Sequence, residues 1–336
     1  MSSSSSLVIS RREVLAGFGA VCAAGFLPSL GAKAAPLAEP LTIWGIPASP
    51  SAVFSRAVAS GALDTVAPGA SFDIWKSTDQ MRAGVATGDF QLFASSTYAA
   101  ANFYNRGAGT RMVNVVTWGV LYIMARDESI TSIADLAGKR ILNSNKNEAP
   151  DLIFRLVLKW AGLDPDKDVS IDYVGSPNEA VPLFLSGRGD VAVMHEPAAT
   201  AALIAAKQQG LSLFRVLDVT ELYGQYTGRG PKIPQVGLAV SEDFLDAHDD
   251  VVRAVHEACV EAGQWVLANA EAAGALAAKT LPLPAPVIAQ SLPFVHLDVR
   301  TAKDSRADIE AYFDHLIGLD PGIVGGKLPD SGFYWG

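Results

Sequence analysis

Residues 183–197 read Leu183-Phe184-Leu185-Ser186-Gly187-Arg188-Gly189-Asp190-Val191-Ala192-Val193-Met194-His195-Glu196-Pro197. A helix closes at Ser186-Gly187, the chain turns through Arg188-Gly189-Asp190, and a four-residue apolar run leads to polar residues and a proline. Such a run reads as a short buried strand that ends in a polar loop. The same order occurs earlier in the chain. There residues 81–86 close a helix, Thr87-Gly88-Asp89 turns, 90–94 run as a strand and Ser95-Ser96-Thr97 form the loop. Two copies of one supersecondary unit predict two α/β lobes, each presenting a polar loop at the carboxyl end of a strand, which is where open α/β sheets bind ligands.

The chain has 336 residues, of which 49% are hydrophobic and 18% charged. That is enough for two lobes with cores of their own. Ser10-Arg11-Arg12-Glu13-Val14-Leu15 is a twin-arginine pattern, followed by a Gly/Ala-rich apolar run over 14–30 and a small-residue cleavage site at Ala32-Lys33-Ala34. The expected mature chain therefore begins near Ala35, with 1–34 as a twin-arginine signal peptide. Gly17, Gly19, Gly25 and Pro28 interrupt the run, which argues against a membrane anchor. Val21 before Cys22 argues against lipidation, because that position wants a small residue.

Loss of 1–34 removes Arg11, Arg12, Lys33 and Glu13, leaving 23 basic and 34 acidic side chains, a net charge of -11. No basic patch for nucleic acid or acidic lipid is evident. The mature chain keeps only Cys259. This residue shares an apolar helix face with Val252, Val255, Ala262 and Val266 and reads as a buried structural thiol.

Along the mature chain, strands are expected at 41–46, 72–76 and 90–94. Pro47-Ala48-Ser49-Pro50-Ser51 follows the first, with Ser49 or Ser51 placed to cap a helix running to Gly61. Ser77-Thr78-Asp79-Gln80 has capping-box spacing after the second, and Ser95-Ser96-Thr97 opens a helix after the third. Each of the three strands thus delivers Ser or Thr to a helix N-terminus, a seat for ligand oxygens as well as a cap. Residues 111–126 read as two strands meeting at Trp118-Gly119, a crossing into the second lobe. A capped short helix at 132–140, a strand at 141–143, a loop through Ser144-Asn145-Lys146-Asn147, and an amphipathic helix over 148–161 follow. Next come a strand at 169–174, a helix at 178–186, the 191–194 strand and another strand at 211–217. Residues 223–234 read as a Gly/Pro-bearing connection, 235–241 as a strand, and the remainder as helices over 249–269, 286–292 and 304–316. The tail ends Phe333-Tyr334-Trp335, an aromatic closure that predicts docking onto the body.

Several segments carry a family resemblance: Ala83-Gly84 to Asp89; Ile133-Ala134-Asp135-Leu136-Ala137-Gly138-Lys139-Arg140; Trp160-Ala161-Gly162-Leu163-Asp164-Pro165; Leu185-Ser186-Gly187 to Asp190; Glu196-Pro197; and Val240-Ser241-Glu242-Asp243-Phe244-Leu245. In this order they resemble the substrate-binding proteins of ABC importers, in the branch serving nitrate, taurine, alkanesulfonates and pyrimidine precursors of thiamin. The resemblance spans nearly all of the mature chain. It implies a type II periplasmic binding protein fold: two α/β lobes, a hinge of two crossing strands, and an interlobe ligand cleft. Lobe one would comprise 36–124 plus 237–336, and lobe two 125–236.

The resemblance also implies which loops form the pocket: Trp44, Ser49 and Ser51; Ser77 and Thr78; Ser95, Ser96 and Thr97; Trp118; Asn143, Asn145, Asn147 and Glu148; His195 and Glu196. The hydroxyls and helix N-termini would hold oxygen atoms, and Trp44 and Trp118 would stack on or enclose the solute. Carboxylates at Glu148 and Glu196 would repel a bare anion and favour an ammonium or ring amine, which points to a zwitterionic, sulfonate- or pyrimidine-like solute. The competing assignments are that Glu148 only starts its helix and that Glu196 pairs with a nearby Lys or Arg. Implied partners are a membrane permease with its ATPase; the protein is expected as a periplasmic monomer needing no cofactor or metal. Two other readings stay open: an enzyme using His195 and Glu196, although triad order, phosphate loop and metal spacing are all missing, and a sensor docking on a membrane receptor.

Overall fold

A computed structural model describes residues 37–336, so the expected signal peptide at 1–34 lies outside the described residues. The first unit follows the alternating pattern: β1 (Thr42–Gly45), α1 (Ala52–Ala59), β2 (Ser71–Ile74), α2 (Thr78–Thr87), β3 (Leu92–Ser96), α3 (Thr97–Asn105) and β4 (Thr110–Thr117). The second comprises β5 (Leu121–Ala125), β6 (Arg140–Asn143), α4 (Ala149–Trp160), β7 (Ser170–Tyr173), α5 (Pro177–Leu185), β8 (Val191–His195), α6 (Ala198–Gln208), β9 (Phe214–Asp218) and α7 (Val219–Thr227). The chain then returns through β10 (Val236–Ser241), α8 (Glu242–Ala247), α9 (Asp249–Ala268), α10 (Ala270–Ala277), α11 (Ala285–Ser291), β11 (Leu297–Thr301) and α12 (Arg306–Ile317).

Two sheets result, ordered β11-β4-β10-β3-β1-β2 and β7-β6-β8-β5-β9. In each, a parallel trio (β2-β1-β3, β7-β6-β8) is joined by one antiparallel strand that arrives directly from the other sheet: β10 beside β3, β5 beside β8. This is the type II α/β arrangement with helices flanking both sheets. Because β5 pairs with β8 and β9, the first crossing is Trp118-Gly119-Val120, and residues 121–124 belong to the second sheet rather than to lobe one as expected. The strand pattern could not place this boundary, since β4 and β5 are both buried along almost their whole length.

Three further differences have local causes. The third strand covers Leu92–Ser96, so Ser95 and Ser96 belong to the ladder instead of the loop. Residues 223–227 of the supposed connection are the second half of the helix α7: the Asp218 carboxylate accepts from the Thr220 and Glu221 amides at its start, and Gly228, at φ 66, stops it. Lastly, β11 is an edge strand whose alternation of Leu297, Val299 and Thr301 with Asp298 and Arg300 was legible but overlooked.

The expected docked tail is present. Phe333 is buried, the Trp335 amide donates to the Met112 carbonyl, and its indole N–H donates to Asp249 at 2.7 Å. Cys259 lies buried on the inner face of α9, where burial pushes its thiol up to about 12, so it is inert at neutral pH. Among the described residues no helix is long and apolar enough to cross a membrane.

Gly237 marks the tightest point of the first sheet. A Cβ there would lie 1.8 Å from the Asn114 carbonyl oxygen, a backbone atom that cannot swing aside. Gly237→Ala is therefore expected to destabilise the fold by on the order of 1–3 kcal/mol, read from the urea midpoint; an unchanged midpoint would show that β10 can shift away from β4.

Candidate functional site

The carboxyl ends of the parallel strands from both sheets meet at one edge, and a cleft of about 620 Å³ lies there. The loop after β1 contributes Ile46, Pro47 and Ala48; the end of β2 contributes Trp75, with Thr78 and Arg82 one helical turn apart on α2. Ser96 and the α3 face carrying Tyr98, Asn102 and Arg106 complete this wall, and Asn145, Asn147 and Glu148 stand on the second-sheet side. The size and mixed lining suit a small organic solute.

Of the residues expected in the pocket, Thr78, Ser96, Asn145, Asn147 and Glu148 line this cleft. The others are occupied elsewhere. Ser49 Oγ bonds Ser291 Oγ at 2.5 Å, and Ser51 Oγ donates to the Ile46 carbonyl at 2.7 Å, so both buried hydroxyls tie down the β1 loop and cap no helix. Ser77 accepts from the Gln80 amide as the expected cap. Ser95 donates to the Ser96 carbonyl, and Thr97 donates across to Pro234 at 2.5 Å. Trp44 stacks on Phe90 at 4.3 Å. Trp118 is buried in the crossing, its indole N–H donating to the Asp298 carbonyl at 2.6 Å.

Glu196 is the sharpest departure from expectation. It is 3% exposed, accepts from Arg215 Nε at 2.8 Å and from the Thr200 hydroxyl at 2.7 Å, and lies among the residues behind the loop. Burial pushes its carboxyl above the ordinary range while Arg215 and Thr200 pull the other way. His195 is lowered to about 4 by burial, and its Nδ1 finds no partner among the described residues. A neutral imidazole beside a carboxylate already claimed by arginine is poorly suited to acid–base chemistry at neutral pH. Among the described residues no cluster of three or more His, Cys, Asp or Glu could hold a metal.

The second-sheet wall is built around a residue that the sequence reading missed. Asp151, 1% exposed in the first turn of α4, accepts from Asn143 Nδ2 at 2.9 Å, from the Asn147 amide at 2.9 Å and from the Tyr173 hydroxyl at 2.8 Å. Asn143 is thus a buried strut behind the cleft lining. The loop it supports holds Asn145 at φ 56 and Asn147 at φ 62, left-handed conformations that asparagine tolerates better than most residues. Asn145 Nδ2 in turn donates to Glu148 at 3.1 Å. Opposite, burial and then the Glu148 charge raise the Tyr98 phenol well above its ordinary value, so it stays protonated and able to donate.

Other missed residues left a signal in their spacing. Tyr98, Asn102 and Arg106 recur every four residues, as do Thr78 and Arg82, which puts each set on one helix face. Arg82 also pairs with Asp79 at 3.3 Å, an exposed contact that a ligand anion could outcompete.

This two-sheet scaffold with its cleft at the hinge is that of the type II solute-binding proteins. Residues 70–280, more than half of the chain, match the family described as "ABC transporter, phosphonate, periplasmic substrate-binding protein", and the chain belongs to that family. Its general role is therefore that of a periplasmic solute-binding protein serving an ABC importer. No curated protein matches. The fold is similar to the periplasmic aliphatic sulphonate binding protein of Escherichia coli, at 20% identity over 89% of this chain and 92% of that one, TM-score 0.70. It is also similar to an ABC transporter protein of Parabacteroides distasonis, at 19% identity over 88% and 99%, TM-score 0.67. The periplasmic nitrate-binding protein of Synechocystis shares 16% identity over 77% and 71%, TM-score 0.56.

Two substitutions separate the structural carboxylates from the cleft. Glu196→Ala strands the Arg215 guanidinium and is expected to cost about 3–5 kcal/mol of stability. Asp151→Ala leaves three donors unpaired and is expected to cost about 3 kcal/mol. Thermal and urea melts check both; a Glu196→Ala protein of unchanged stability would contradict the buried ion pair.

Proposed function

We propose that the cleft binds a small solute carrying both an oxyanion and a cationic or hydrogen-bond-donating group, and that closure of the lobes over it delivers it to a membrane permease. One observation carries this reading: Arg82 and Arg106 reach the cleft from one wall while Glu148 reaches it from the other. With Glu196 consumed by Arg215, the arginines outnumber the carboxylate, so an acidic headgroup is favoured and Glu148 is left to select the opposite end. Thr78, Ser96, Asn145 and Asn147 supply the neutral hydrogen bonds, and Trp75, Met81, Phe103 and Ile323 enclose an apolar middle. A taurine-like sulfonate or an aminophosphonate has this chemistry. Phosphonate, named for the family, and the aliphatic sulphonates bound by the Escherichia coli relative lie in the same chemical range.

In this reading the protein acts as a monomer, exported by the twin-arginine pathway on the strength of Ser10-Arg11-Arg12-Glu13, and passes its cargo to a cognate permease and ATPase. The test is a calorimetric comparison of taurine with ethanesulfonate, which differ by one ammonium group, together with 2-aminoethylphosphonate. The amine-bearing solutes should bind on the order of tenfold or more tightly, and Glu148→Gln should erase that preference while sparing ethanesulfonate. Equal affinities in the unmodified protein would remove Glu148 from recognition.

A further inference from the structure

Besides the two crossings, a third connection spans the sheets. The segment between α11 and the edge strand β11 belongs to the first sheet by chain and pairing, yet its residues rest on the second. Phe294 lies under the Arg215 guanidinium, 3.7 Å from its ring centroid, and accepts at its carbonyl from the Tyr122 hydroxyl at 2.9 Å. His296 turns through φ 43, an uncommon conformation for a side chain of its size. Its carbonyl accepts from the Trp118 amide at 3.0 Å, and its Nε2 lies 2.9 Å from Asp218 Oδ2. At its other end the strap stays with the first sheet: β11 pairs with β4, and the Asp298 carbonyl accepts the Trp118 indole N–H at the start of the first crossing. Beside the strap an open surface depression of about 330 Å³ is lined by Tyr122, Arg215, Asp218, Pro293, Phe294 and His296.

We propose that residues 294–298 form an interlobe strap limiting how far the two sheets swing apart, and that the His296–Asp218 contact is its releasable, pH-sensitive end. The inference rests on the reading above that the lobes move relative to each other. On the second sheet the strap meets Arg215 through the Phe294 ring, Tyr122 through the Phe294 carbonyl and, at 3.3 Å, through His296 Nε2, and Asp218 through the same nitrogen; the Phe294 contacts are indifferent to pH in the physiological range. Only the imidazole changes charge there. Its hydrogen bond to Asp218 holds its pKa above the ordinary value, against the opposing effect of burial, and the Asp218 carboxyl lies below its own. A group whose folded pKa is raised contributes its full stabilisation below the unfolded value and loses it as pH rises through the folded one. The strap is therefore held at mildly acidic pH and loosens as the medium turns alkaline.

The groups facing this contact are consistent with that sign. Asp218 and Glu221 supply negative charge from the β9–α7 junction, and Tyr122 stays protonated because burial raises it. On the other flank, Arg215 is held by Glu196, and Arg300 binds Asp298 on the strap's own strand. Burial shifts His195, His256 and His315 down, opposite to the shift of His296, so they do not stabilise the fold at acidic pH.

The test needs no solute, so a failed ligand screen and a failed strap give different results. Spin labels at Thr65→Cys on the first lobe and Gln208→Cys on the second, both exposed positions, report the interlobe distance by pulsed dipolar spectroscopy; the buried Cys259 stays unlabelled. In the otherwise unmodified protein the distance distribution should be narrow near about pH 5.5 and broader, shifted outward, near about pH 8.5. His296→Asn fits the left-handed backbone and Asp218→Asn keeps an oxygen for the α7 cap; each should give the broad distribution at both pH values. A pH-independent distribution in the unmodified protein, or variants that retain the full response, would overturn the proposal. NMR titration of the His296 ring gives an independent reading: a midpoint above about 6.5 supports the strap, and one at or below it rejects it.

Discussion

Everything at the functional edge depends on one topological constraint, the exchange of a single antiparallel strand between two otherwise parallel trios. β5 begins opposite the end of β8, and β10 begins opposite the end of β3. Both crossings therefore leave and enter at the edge where the parallel strands finish. The hinge, the helix N-termini and the loop residues are forced into one seam, and any solute between the lobes touches the elements that would move. Gly119 shows how tight this seam is: a Cβ there would fall 2.0 Å from Thr220 Oγ1.

Side chains at that edge divide between those that build the seam and those that face it. Two carboxylates illustrate the division. Asp151 and Glu196 are both almost fully buried and fully engaged, one by amide and hydroxyl donors, the other by a guanidinium and a hydroxyl. A buried charge left without such partners is strongly destabilising, so each position demands its complement. Glu148, exposed at the start of α4 and held by Asn145, is under no such constraint and lines the cleft opposite Tyr98. The same logic applies to hydroxyls: Ser49, Ser51, Ser95 and Thr97 are buried and therefore bonded, whereas Thr78 and Ser96 face the cleft.

The alternation of strand, turn and helix was readable because it is local. Gly-Asp turns, capping serines and apolar runs act over a few residues, and they placed β1, β2, β6, β7, β8, α4 and α9 within a residue or two. Residues 223–227, the end of α7, read as loop because of Gly224 and the following Gly/Pro cluster. In the fold Gly224 is needed where the Gly230 backbone packs against the helix, an interaction between segments that a local pattern does not encode. The point at which the chain passes from one sheet to the other was illegible for a related reason: β4 and β5 are both buried almost throughout, and partners distant in the chain decide which sheet each joins.

By itself the sequence determined the two-fold repetition of the α/β unit, the polar loops at the strand ends, the buried thiol and the docked aromatic tail. These follow from hydrophobic periodicity and backbone punctuation, which are properties of short segments. Only the tertiary structure decided which polar side chain faces the cleft. Whether Glu196 meets a solute or Arg215, and whether Arg82, Tyr98 and Arg106 share a wall with Ser96, is set by partners distant in the chain and by which groups burial forces to pair.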